Sequence, residues 1–208
     1  MSSLVHRSVT SVSWNVLAQG VSIAVGFARS VLLARMLSVE TFGIYAGALA
    51  IVAVTGVVAD FGFGSAFLHR SAETEDEDRS AAIYLSLQTL MALLWAACML
   101  VGIALWSTGP TRTALFVITA TTAAELLMRV PTMVLVRRVQ HKRTAIVGII
   151  NTLVVSILTV ALAWRGVELW TLLAGEIVAT IILLIGLFLW RPLWRAHFAW
   201  DRVVAGYF

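Results

Sequence analysis

Six apolar segments, each long enough to cross a lipid bilayer, constrain the fold of this chain more than any other feature. They occupy residues 12–34, 42–64, 81–106, 113–135, 145–164 and 168–190. A spanning helix needs about 20 mostly apolar residues because the hydrocarbon core is about 30 Å thick. A chain of 208 residues is too short to bury six such segments inside a water-soluble globule. The pattern therefore predicts an all-α transmembrane bundle of six helices.

Composition and charge agree with this prediction. Hydrophobic residues make up 60% of the chain and charged residues 12%, against about 45–50% and about 25% in soluble domains. The formal net charge is +4, but the basic residues lie at the segment ends, where anionic lipid headgroups meet them. Membrane lipids, and not nucleic acid, are the expected partner of these charges.

The distribution of Lys and Arg predicts the orientation, because cytoplasmic flanks are enriched in them. One face has ten such residues and the other only Arg35, Arg112 and Arg165. Both chain termini lie on the basic face and are therefore expected in the cytoplasm. The ten basic residues of that face are Arg7, Arg70, Arg79, Arg137, Arg138, Lys142, Arg143, Arg191, Arg195 and Arg202.

Charged residues inside the spans are the candidate functional residues. A guanidinium facing lipid costs about 2.5–3.5 kcal/mol or more, so Arg29 in the first span must face a cavity, a partner or the interface. An anion contact is one reading, since Arg binds phosphate through two parallel hydrogen bonds. Snorkelling toward the headgroups, or pairing with an acid, is the other. Glu176 in the last span lies at a similar depth and is a candidate partner.

A second charged pair lies in the fourth span. Glu125 and Arg129 are four residues apart, a spacing that places them on one helix face and favours mutual neutralisation. Small residues at helix-packing spacing predict close helix contacts at Ser22, Gly26 and Ser30 and at Gly43 and Gly47. The histidines show no metal-ligand spacing and no catalytic cluster is evident, so neither a metal nor another cofactor is expected.

The stretch RSVLLARMLSVETFGIY, followed by a second span ending at Asp60 and then Gly62 and Ala66, resembles the polysaccharide and O-antigen flippases of the multidrug/oligosaccharidyl-lipid/polysaccharide exporter superfamily. GFARSVLLAR is also similar to the start of the lipid II flippase, whose matching arginine points into the central cavity. Arg29 falls on that position. The resemblance implies a non-enzymatic exporter in the bacterial inner membrane that moves an undecaprenyl-pyrophosphate-linked oligosaccharide by alternating access.

The resemblance also implies a domain organisation. Members have two lobes, so residues 1–190 are expected to form an N-terminal six-helix lobe. Residues 191–208 are expected to form a cytoplasmic amphipathic linker to a missing C-terminal lobe, which makes the chain a predicted fragment. Arg29 is expected to bind the pyrophosphate, with Glu176, Glu125 and Arg129 as further cavity positions. The alternatives are a multidrug exporter of the same superfamily, a membrane glycosyltransferase or ligase, and an inert or accessory fragment.

Overall fold

The computed structural model describes residues 2–60, 64, 77–137, 141–189 and 197–198, with side chains placed for 19–59, 64, 79–135, 144–187 and 197–198. These residues contain no β-strand, and the predicted all-α fold is confirmed. The predicted linker 191–208 lies outside the described residues except for His197 and Phe198. The helices of the described residues are α1 (Ser2–Met36), α2 (Val39–Asp60), α3 (Glu77–Trp106), α4 (Gly109–Arg137), α5 (His141–Trp164) and α6 (Glu168–Leu184), which a π-helical turn (Ile185–Leu189) extends.

The helices are those of a multi-pass membrane protein. Within the described side chains, five segments are long and apolar enough to cross a bilayer: Val39–Ala59, Arg79–Trp106, Gly109–Leu135, Thr144–Trp164 and Glu168–Leu187. The surface of the bundle is apolar: Phe27 is 71% exposed and Val54 is 73% exposed, whereas the polar Gln88 is fully buried. A soluble protein usually buries large apolar side chains and exposes polar ones, so the opposite arrangement here suits a bundle surrounded by lipid.

Helix α4 holds most of the bundle together. It packs along α3 and against α2 and α6, and α5 packs against α6, while α1 packs mainly on α5. The core between α2, α3, α4 and α6 includes Val52, Ile118 and Leu173. Gln88 on α3 donates a hydrogen bond of 3.2 Å to the carbonyl of Ala59, near the α2 end where helix carbonyls lack internal partners.

Helices α5 and α6 approach each other most closely at two glycines of the α6 region. A Cβ at Gly175 would lie 2.8 Å from Thr159 Cγ2, and one at Gly186 would lie 2.7 Å from Val147 Cγ1. These positions need glycine because a methyl group has no room there. Of the close contacts predicted from small residues, the one at Ser22 is confirmed, because Thr152 Oγ1 on α5 lies 3.3 Å from Ser22 Oγ. Those at Gly26, Gly43 and Gly47 are wrong within the described part of the chain, because a Cβ at any of the three meets no atom within 4 Å.

Short turns with polar and glycine residues connect α1 to α2, α3 to α4 and α5 to α6. Ser38 begins α2 as its N-cap: the Thr41 backbone N–H donates 3.2 Å to Ser38 Oγ, which satisfies one otherwise unpaired amide of the first turn. Gly109, the first residue of α4, has a φ of +60°, and Gly166, in the turn before α6, has a φ of +74°. Residues other than glycine rarely adopt such values. Phe42 and Tyr45 lie near the start of α2, shortly after the Ser38 N-cap.

Candidate functional site

A cleft of about 400 Å³ lies between α1, α2, α5 and α6. Leu33, Phe42 and Leu172 form apolar parts of its wall, and Gly175 lies at its α6 side. Its other lining side chains are mainly polar or charged, although the helices that form it are apolar outside. These are Ser22, Arg29, Ser30, Tyr45, Asn151, Thr152, Thr159 and Glu176.

Arg29 lines the cleft from α1. The guanidinium Nε is buried and has no hydrogen-bond partner. Glu176, the predicted partner, lies in the same cleft, but no ion pair joins the two among the residues the structure describes. Glu176 Oε1 instead accepts a hydrogen bond from the Tyr45 hydroxyl. A buried donor without a partner costs about 1–3 kcal/mol, and more when charged, so this guanidinium is suited to binding an anion.

Asn151 supplies a second unsatisfied group in the same cleft, this time an acceptor. Its Oδ1 is buried and has no hydrogen-bond partner. The neighbouring Thr152 Oγ1 donates 3.3 Å to Ser22 Oγ of α1, which links the two helices beside Asn151. A ligand with both an anionic group and a hydroxyl donor would satisfy Arg29 and Asn151 together.

The other two predicted site residues lie on α4 and do not line the cleft. Glu125 is half-buried and accepts a hydrogen bond of 3.5 Å from Thr180 Oγ1. Arg129 is exposed and interacts electrostatically with Glu125, as their four-residue spacing suggested. Glu125 also interacts electrostatically with Glu176. The structure therefore places Arg29 and Glu176 together, and Glu125 behind Glu176.

Tyr45 and Thr180 are site residues that the sequence reasoning did not select. Tyr45 belongs to the FGIY part of the signature turn, where its spacing three residues after Phe42 places both on one face of α2. Thr180 lies four residues after Glu176 and its hydroxyl donates 3.0 Å to the Glu176 carbonyl. The signal that could have found Thr180 is its helical spacing from Glu176, and the one for Tyr45 is its place in the signature turn.

A multi-pass bundle of apolar helices with a charged cleft between them places the chain in the class of multi-pass membrane proteins. The chain belongs to the family described as "Polysaccharide biosynthesis protein", which matches residues 32–207. This confirms the flippase-type family that the signature turn indicated. The match begins just after Arg29, so it does not include that residue.

One curated relative is similar over nearly the whole chain. The succinoglycan biosynthesis transport protein ExoT of Rhizobium meliloti is 28% identical over 204 residues, which is 96% of this chain. The chain spans 41% of the length of that relative. No solved structure matches the chain.

Proposed function

We propose that this chain is part of a flippase that moves a polyprenyl-pyrophosphate-linked oligosaccharide across the bacterial inner membrane. The observation that carries the proposal is the Nε of Arg29, which is buried and lacks a partner in a cleft between apolar helices. Pyrophosphate offers several oxygens to such a donor, and Arg matches phosphate geometry bidentately. The family and the name of its relative ExoT support a polysaccharide as the cargo.

The cleft suits the head of such a lipid. Arg29 binds the pyrophosphate, Asn151 Oδ1 accepts a hydrogen bond from a hydroxyl of the adjacent sugar, and the prenyl tail stays in lipid beside the bundle. No bond is made or broken in this mechanism. The second lobe that the resemblance implies completes the cavity, and both chain termini are cytoplasmic.

Binding measurements test the anion site directly. The chain in lipid nanodiscs is titrated with farnesyl pyrophosphate, while inorganic pyrophosphate shows whether the lipid tail contributes. Loss of one or two charge-assisted hydrogen bonds, at about 1.5–3 kcal/mol each, predicts that Arg29→Ala weakens farnesyl pyrophosphate binding about tenfold to a hundredfold or more. Arg29→Lys should bind farnesyl pyrophosphate more tightly than Arg29→Ala and less tightly than the unmodified chain.

Arg35→Ala is the matched control, because Arg35 lies in the last turn of α1 and is exposed outside the cleft. It should bind like the unmodified chain. Equal affinity of Arg29→Ala and Arg35→Ala would refute the anion site. A cationic dye that binds more tightly than farnesyl pyrophosphate would favour the multidrug exporter. The same two variants, introduced into the complete transporter, should differ in polysaccharide export in the same order.

A further inference from the structure

Contacts between α1 and α5 fix the level of Arg29 in the cleft. The Ser22 hydroxyl oxygen on α1 lies 3.3 Å from that of Thr152 on α5. Further along the same helices, Leu33 and Ala163 belong to one core cluster. The residues of both pairs are 130 apart in the sequence, so α1 and α5 run side by side in the same direction and keep one register. Each residue of α1 between these contacts therefore lies level with the residue of α5 that is 130 positions later.

Arg29 and Glu176 lie at one level of the cleft in this register. Arg29 falls level with Thr159 of α5, and Thr159 is the residue against which Gly175 of α6 packs. Glu176 follows Gly175 directly. Tyr45 of α2 donates its hydroxyl hydrogen bond to Glu176 at the same level. The cleft therefore has a cation on one wall and a carboxylate on another, about the same distance along the helices.

The two opposite charges stay apart across the cleft. No ion pair joins Arg29 to Glu176 among the residues the structure describes, and the Arg29 Nε has no hydrogen-bond partner. Glu176 remains partly exposed in the cleft. A carboxylate can accept about four hydrogen bonds, and the Tyr45 hydroxyl donates one of them. Most of the accepting capacity of Glu176 is thus left for a ligand that donates hydrogen bonds, as the hydroxyl groups of a sugar do.

We propose that Glu176 binds hydroxyl groups of the sugar that follows the pyrophosphate, and that the cleft selects a neutral sugar over a uronate at this place. This inference rests on the proposed function, because it requires the pyrophosphate at Arg29. A pyrophosphate bound there places its first sugar at the level of Glu176. Tyr45 is a positioning residue, since its hydroxyl holds the carboxylate that faces the sugar.

The selection follows from the charges that line the cleft. A uronate would bring a second carboxylate beside Glu176, and like charges placed together away from water repel strongly. Among the described residues that line the cleft, Arg29 is the one cation, and the pyrophosphate occupies it. A neutral sugar offers hydroxyl donors to Glu176 and brings no such charge.

Two ligands that differ in one charged group test the proposal. Farnesyl pyrophosphate carrying glucose, and the same lipid carrying glucuronate, are titrated into the whole chain in phosphatidylcholine nanodiscs. The sugars differ only at C6, where one has a hydroxymethyl group and the other a carboxylate. The unmodified chain should bind the glucose ligand at least about tenfold more tightly, because juxtaposed like charges are costly. Glu176→Gln removes the charge and keeps the shape, so it should bind both ligands within about twofold of each other.

Two further variants separate charge from position. Glu176→Asp keeps the charge and should keep the preference for glucose. Tyr45→Phe deletes the hydroxyl that holds Glu176 and should bind the glucose ligand about twofold to tenfold more weakly, as expected for one hydrogen bond. Its affinity for farnesyl pyrophosphate without a sugar should stay unchanged. An equal loss for both ligands would mean a merely structural role and would overturn the positioning by Tyr45.

Glu168→Gln is the matched control, since Glu168 is an exposed glutamate in the first turn of the same helix. It should prefer glucose as the unmodified chain does. Equal binding of the two sugar ligands by the unmodified chain would overturn the sugar subsite, as would a preference that persists in Glu176→Gln. If the unmodified chain binds neither ligand, or Arg29→Ala binds both as tightly, the proposed function fails. If binding depends on Arg29 but the sugars are not distinguished, only the sugar subsite fails.

Discussion

Replacing Gly175 with alanine should loosen the contact between α5 and α6. The added Cβ would lie 2.8 Å from Thr159 Cγ2 and 3.5 Å from Val155 Cγ1. The second distance is ordinary van der Waals contact, but the first is about 0.6 Å shorter than the 3.4 Å at which ordinary contact begins. Thr159 is a buried β-branched residue whose hydroxyl donates 2.8 Å to the Val155 carbonyl, so its methyl cannot turn away without losing that hydrogen bond.

The expected loss of stability in Gly175→Ala is obtained by comparison with a glycine that has space around it. Overpacking of a well-packed site costs about 1–3 kcal/mol. Gly47 is exposed on α2 and a Cβ there meets nothing within 4 Å. Both alanine variants gain the same helix propensity over glycine, about 0.8–1 kcal/mol in water. We therefore expect Gly175→Ala to be less stable than Gly47→Ala by about 1–3 kcal/mol.

Unfolding by SDS in mixed micelles, followed by circular dichroism, gives the free energies to compare. Thr159→Ser provides an internal test because it deletes the clashing methyl and keeps the hydroxyl. The double variant with Gly175→Ala should recover most of the lost stability, with a coupling of about 1 kcal/mol or more. Equal stability of Gly175→Ala and Gly47→Ala, or a double variant with purely additive losses, would refute the packing described for these helices.

Three further predictions concern the fold and its place in the membrane. Gln88→Ala leaves the Ala59 carbonyl without its side-chain donor and should lower the free energy of unfolding by about 1–3 kcal/mol, measured by the same SDS unfolding. A decrease below 0.5 kcal/mol, roughly the lower end for a hydrogen bond, would contradict the interhelical bond. Cys98 is exposed on α3 within a predicted span, so a charged maleimide should label it in SDS but not in intact vesicles, and rapid labelling in vesicles would place it in water. Alkaline phosphatase should be active when fused after Ser107 and inactive when fused after Gln140, because the Lys/Arg distribution predicts a periplasmic loop at Ser107 and a cytoplasmic loop at Gln140. The reverse pattern of activity would contradict the predicted orientation.

Much of the fold could be read from the sequence because segment length and hydropathy act locally. Two turns also carry a sequence signal, since Gly109 and Gly166 adopt the positive φ that glycine tolerates. Helix neighbours were harder to predict. The small residues Gly43 and Gly47 have the spacing of a packing motif yet meet nothing within 4 Å, whereas Gly175, which has the same spacing with Ala179, makes a close contact. Which face of a helix meets a neighbour depends on the whole arrangement, and one helix does not encode it.

The candidate site was predictable in part for a similar reason. Arg29 and Glu176 stood out because charges inside a span are costly, and the structure places both in one cleft. Their expected pairing is absent among the described residues, because Tyr45 supplies the hydrogen bond to Glu176. Tyr45 and Thr180 are uncharged, so the free-energy cost of a charge inside a span did not identify them. Their role arises only when α2, α4 and α6 come together.

The packing of α1 mainly against α5 has a consequence for how the protein is made. Helix α5 begins at His141, roughly 100 residues after α1 ends at Met36, which at about 5–20 residues per second corresponds to about 5–20 s of synthesis. During that interval the first helix has left the ribosome without its main neighbour. Its arginine must stay with the insertion machinery or reach the lipid headgroups until the fifth helix arrives. Biogenesis of this chain therefore has a built-in delay, and premature release of the first helix is the step at which insertion is most exposed to error.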